Sequence, residues 1–167
     1  MNLFFIFAII ILSIIHGTVG LRIIPYLNLN YNIKIVTWCC IVLLAALPII
    51  PIILRSKGFE DEVVDWFSWA GYLSLGFFVL TFLAVVTKDL IYLTIGLLTK
   101  ITVAIGFPSA PTDPGRRDFI QKILSISIVT TTSVSTIAGL YAARKGATIM
   151  KTTVPIKGLD KDLSGMT

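Results

Sequence analysis

Trp66–Thr87 reads WFSWAGYLSLGFFVLTFLAVVT, and the residues after it decide the fold: Lys88 and Asp89, then a second apolar run, Leu90–Phe107, broken only by Lys100. The quoted run carries no Asp, Glu, Lys or Arg, and at ~1.5 Å per residue it matches a ~30 Å hydrocarbon core. Inside a bilayer no water satisfies backbone N–H and C=O groups, so such a run must be helical. Leu90–Phe107 continues the apolar pattern, but as a separate span it would bring Lys100 near mid-membrane, at roughly 2.5–3.5 kcal/mol. The cheaper reading carries the third helix out of the bilayer as an interfacial segment on the surface.

Three other stretches are equally free of charge: Met1–Leu21, Ile35–Leu54 and Ile123–Ala143. Of the 167 residues 56% are hydrophobic and 14% charged, with a mean hydropathy of +0.91, which is the membrane class and not the globular one. The expected fold is therefore an all-α integral membrane protein, a bundle of four transmembrane helices near 1–21, 35–54, 66–87 and 123–143. An interfacial helix over 90–107 follows the third span, a linker over 108–117 follows that, and a short extended tail closes a helical domain of residues 1–146.

The first run is read as retained. Its start, Met1-Asn2, lacks the Lys or Arg of a signal peptide, and no small-residue cleavage site follows. Cys39 and Cys40, adjacent within the second span, are read as small apolar fillers and not as a disulfide or metal pair. Pro48 and Pro51 each remove a backbone donor there, so a kink or early end is expected. The net charge of +5 comes without a basic patch interleaved with exposed aromatics, so nucleic acid is excluded and the lipid bilayer is the expected partner.

Two features stand out in the fourth span and its approach. GRRDFIQK, with Arg116, Arg117, Phe119 and Lys122, resembles the twin-arginine export signal ahead of an apolar helix; two arginines anchoring a helix end is the plainer use. Within the span, Thr131, Ser135, Gly139 and Ala143 recur at every fourth residue and so share a face. Such a small-residue stripe allows close helix approach, within the bundle first and in a homo-oligomer second.

Catalysis finds little to work with. His16 is the single histidine, with no acid in its helix, and reads as a bundle-facing, hydrogen-bonded side chain. Glu60, Asp61, Glu62 and Asp65 fit a solvated loop better than a cation loop. No phosphate cradle, nucleophile elbow or zinc helix appears, so no catalytic residue, metal ligand or cofactor is assigned.

Beyond Arg144-Lys145-Gly146 the chain turns to strand chemistry, ATIMKTTVPIK, then a charged turn. A lone strand is not stable in water, so this tail needs a partner. The DPGRRDFIQK linker, a helix ending in YAARKG, and the closing TTVPIKGLDKDLSGMT together resemble the N-terminal membrane region of bacterial transmembrane metallophosphoesterases of the calcineurin-like superfamily. In that family such a tail opens the catalytic domain and precedes a strand carrying an Asp-x-His metal motif. The resemblance implies a two-layer α/β hydrolase domain in which two divalent metal ions activate water against phosphorus. None of its ligands falls on a position of this sequence. The expectation is a membrane-anchoring module in the bacterial cytoplasmic (inner) membrane, inactive alone, whose partner is its own missing C-terminal catalytic domain. The alternative is a stand-alone small membrane protein acting as scaffold, sensor or subunit partner. Lys and Arg placement, with the tail discounted, favours an external N-terminus, a cytoplasmic Arg116-Arg117 linker and an extracytoplasmic tail.

Overall fold

The computed structural model describes residues 2–108 and 113–146. Five helices follow one another: α1 (Asn2–Ile23), α2 (Tyr31–Ala46), α3 (Ile49–Ser56), α4 (Glu62–Ala104) and α5 (Pro114–Arg144). No strand occurs among the described residues. Four helical segments are long and apolar enough to cross a membrane, α2 and α3 together forming the second. The strand expected in the tail, residues 147–167, lies outside the described residues, as do linker residues 109–112.

The distribution of side chains departs from that in a water-soluble bundle, with large apolar residues over the outside and polar residues making up half of the buried set. Ile10, Ile14, Val42, Leu43, Leu83 and Ile137 are exposed, whereas His16, Ser74, Thr81, Gln121, Ser125 and Thr132 are buried. Apolar faces turned outward and small polar groups turned inward are what a hydrocarbon solvent favours, because helices there associate through close packing and interhelical hydrogen bonds. A small apolar cluster of Val19, Ile23, Ile41, Phe78 and Val85 ties α1, α2 and α4 together. α4 is the hub, touching each of the other four helices.

α1 runs into one turn of 3-10 helix, Ile24–Leu27, which holds Pro25. The chain then reverses through Asn28, whose φ of 49° is a left-handed conformation that asparagine tolerates.

The expected kink in the second span is an interruption at Leu47-Pro48, where α2 gives way to α3 although both residues keep right-handed helical dihedrals. Pro48 has no N–H to offer Leu44 O, and Pro51 has none for Leu47 O. α4 packs against the interruption and makes good the first loss. Ser74 Oγ donates to Leu44 O at 3.3 Å. One turn earlier, Gly71 lets α4 come so close that a Cβ there would lie 2.9 Å from Leu47 O and from Pro48 Cα. A residue with a side chain would force the helices apart.

The third span and the expected surface segment are one helix. α4 runs 43 residues from Glu62 to Ala104, with no turn at Lys88–Leu90. The two charges do not break it because other elements meet them: Arg22 at the end of α1 pairs with Asp89 (Nε–Oδ2 3.1 Å), and Lys88 reaches Gln121 of α5. No proline or clustered glycine lies nearby to stop the ladder. Ala104 is thus about 22 Å of helix beyond Asp89. Lys100 stands exposed on that extension, beyond the level of Asp89.

α5 also begins earlier than expected. Asp113 caps it by accepting from Gly115 N at 2.9 Å, and Pro114 takes the first helical position, where its missing N–H costs nothing. Pro114–Arg117, read from sequence as the end of the linker, are therefore the helix's first turn.

Candidate functional site

α5 runs antiparallel to α4, and their pairing orders the polar groups by level. At mid-bundle the Thr81 and Thr132 hydroxyls lie 3.1 Å apart. Each also has a carbonyl of its own helix at 2.8 Å, Phe77 O and Ile128 O. A hydroxyl has one proton, so one threonine donates across the interface while the other donates within its helix. Toward the end where α5 starts, Ser125, Gln121 and Lys88 follow, all buried. There the helices diverge around a cavity of about 730 Å³.

Four cations line this cavity: Arg22 from α1, Lys88 from α4, and Arg116 and Arg117 from the first turn of α5. Its carboxylates are Asp89 and Asp113, and both are engaged. Asp89 holds Arg22, and Asp113 caps α5. Lys88 is 8% exposed, yet its contacts are weak. Gln121 Oε1 lies at 3.4 Å, Asp89 Oδ1 at 3.9 Å, and the Tyr26 ring centroid at 5.5 Å. Burying an incompletely paired ammonium costs several kcal/mol. Arg116 and Arg117 have no ion-pair partner among the described residues. The first N–H groups of α5 add positive potential at the same place. The arrangement gathers a surplus of positive charge around one open space.

No group of three His, Cys, Asp or Glu converges among the described residues. His16 is buried in the bundle: Nδ1 donates to Leu12 O at 2.8 Å, and the ring lies 4.1 Å from that of Phe78. Its Nε2 has no hydrogen-bond partner, and neither does Ser125 Oγ. Glu60 and Asp61 are exposed, and Asp65 pairs with Arg55 at 2.7 Å.

The sequence-derived residues divide. Arg116 and Arg117 are at the cavity, together with cations of two other helices that no linear motif connects. Phe119 and Lys122 point elsewhere, around a smaller pocket with Pro25, Tyr26 and Asn28. The small-residue stripe is displaced from the packing face. Thr131, Ser135, Gly139 and Ala143 are all exposed, and the face against α4 is Gln121, Ser125 and Thr132, one position over. The buried residues are four and seven apart and the stripe recurs every four, both spacings that keep to one side of a helix, and only the partner helix decides between them. Gly139 and Ala143 instead border an open groove of about 590 Å³ beside Arg55 and Trp69 at the other end of the bundle. Cys39 and Cys40 are free and outward-facing, so they fill no part of the protein interior.

Comparison with protein-family profiles, with curated proteins and with solved structures gives no match. The resemblance to metallophosphoesterases therefore rests on the quoted residues alone, and its most specific part, the tail, lies outside the described residues.

Proposed function

We propose that this chain is a multi-pass membrane module that anchors a metallophosphoesterase-like hydrolase domain following α5. The observation that carries the anchoring half is the bundle, with four segments of spanning length, greasy outside and with buried hydroxyls inside. The hydrolase half is supported by the tail sequence and by the geometry that delivers it. α5 ends at Arg144, whose guanidinium lies over the Trp69 ring at 5.3 Å, and tryptophan is a residue that favours the membrane interface. A domain joined there would sit directly on the membrane surface. The host membrane in this proposal is the bacterial cytoplasmic one, with the tail on its outer side.

Reading the coding DNA past Thr167 tests the hydrolase half. An open frame carrying Asp-x-His soon after the tail is the expected result. A stop codon or unrelated sequence overturns it in favour of a stand-alone scaffold or subunit.

A further inference from the structure

We propose that the cavity between α4 and α5 binds the phosphate group of an anionic lipid. Charge comes first. The two carboxylates present are already engaged, Asp89 with Arg22 and at 3.9 Å with Lys88, and Asp113 with the α5 cap, which leaves Arg116 and Arg117 without a carboxylate partner among the described residues and Lys88 with a long contact only. A phosphate diester brings one negative charge and several acceptor oxygens, and arginine's planar fork matches it.

Depth comes second. The cavity lies where the uncharged run of α4 ends at Lys88 and where α1 ends at Arg22, the level of lipid headgroups in a chain that spans. Its rim then favours a lipid over free phosphate. Leu93 and Ile95 line it while remaining 59% and 53% exposed, so an acyl chain lying against them continues an apolar surface away from the cations. A soluble anion has no use for that rim.

The site has room. Gly96 lines the cavity, and a Cβ there would meet nothing within 4 Å. Mid-helix glycine costs about 1 kcal/mol against alanine, and no close helix contact at Gly96 offsets it.

This inference rests on the membrane-spanning half of the proposal above, and the test separates the two. The full chain is reconstituted with phosphatidylcholine vesicles and floated, which reports insertion alone. In neutral detergent it is then offered phosphatidylglycerol, phosphatidylcholine or inorganic phosphate, and bound lipid surviving gel filtration is counted by phosphorus NMR. Phosphatidylglycerol is expected to stay with the protein at about one per chain, phosphatidylcholine to wash away, and inorganic phosphate not to displace the bound lipid. Arg116→Gln combined with Arg117→Gln is expected to lower retention about tenfold. Gly96→Leu, which changes no charge, is expected to lower retention severalfold by crowding the apolar side of the site where the acyl chain lies, and serves if the arginine variant fails to fold. Lys34→Gln with Lys100→Gln removes two charges elsewhere at the same end and is expected to leave retention unchanged. Equal retention of both lipids, displacement by inorganic phosphate, or full retention in Gly96→Leu each overturns the lipid site. A chain that floats yet retains no phosphatidylglycerol loses this inference only, whereas one that does not float loses both.

Discussion

At the scale of single residues, buried polar atoms matter most, because in this bundle they face each other and not water. His16 illustrates how little such an atom needs to contribute. Its Nδ1–H bonds a carbonyl of its own helix while Nε2 has no partner, a deficit of about 1–3 kcal/mol for a buried acceptor. His16→Leu removes that deficit and keeps an apolar body against Phe78. The variant is expected to melt at the same temperature as the parent or higher, followed by circular dichroism in detergent. A fall of many degrees would show that the imidazole holds the bundle together through a bond the present geometry lacks. Lys88 is the opposite case, a buried cation whose neighbours leave it short of negative charge. Its burial was not legible in the sequence, where Lys88-Asp89 reads as the charged end of a span. Only the arrival of α5, bringing Gln121, encloses it.

Among whole elements, the α2–α3 break and α4 form one unit. Pro48 deprives Leu44 O of its helical donor, and Ser74, thirty residues on, supplies another. Ser74→Ala is therefore expected to destabilise the protein by about 1–2 kcal/mol, since the carbonyl is left bare in an apolar setting. The same substitution placed in a Pro48→Ala background is expected to cost much less, because replacing the proline restores the backbone donor. Equal losses in both backgrounds, read from thermal melts, would disprove the coupling. The two prolines were visible in the sequence and so was the broken helix. The answering serine was not, because Ser74 sits among apolar residues with nothing local to mark it. The boundaries of α4 and α5 were missed for a related reason. Charges and prolines that suggest an end in isolation are accommodated here, by Arg22 and Gln121 in one case and by the first-turn position in the other.

Taken as a whole, the molecule is polarised. The end holding the cavity gathers Arg22, Lys34, Lys88, Lys100, Arg116, Arg117 and Lys122 against three aspartates. The opposite end has Arg55, Lys57, Arg144 and Lys145 against four acids, Glu60, Asp61, Glu62 and Asp65. Basic loops tend to stay in the cytoplasm during insertion, and this charge asymmetry is the ground for the proposed orientation, with the cavity end cytoplasmic and the acidic loop outside. Alkaline phosphatase fused after Thr167 is expected to be active, and a fluorescent protein that matures only in the cytoplasm is expected to stay dark there. Bright fluorescence with a silent phosphatase would reverse the orientation. The number of helical segments long and apolar enough to span was available from uncharged runs alone. The gathering of cations from three helices into one cavity was not, since Arg22, Lys88 and Arg116 are scattered along the chain and meet only when α5 folds back on α4.

Cys39 and Cys40 turn away from every other helix, about 12 Å of helix past Tyr31. Neighbouring helical positions point about 100° apart, so the two thiols present separate sides of α2 to its surroundings. In a bilayer those surroundings are acyl chains, where a thiol meets neither hydroxide nor a water-soluble maleimide, and only a lipid-soluble reagent gains entry. The chain thus carries a built-in chemical reporter of its own solvent: the rate at which these two sulfurs alkylate distinguishes α2 in lipid from α2 in water without any engineered cysteine.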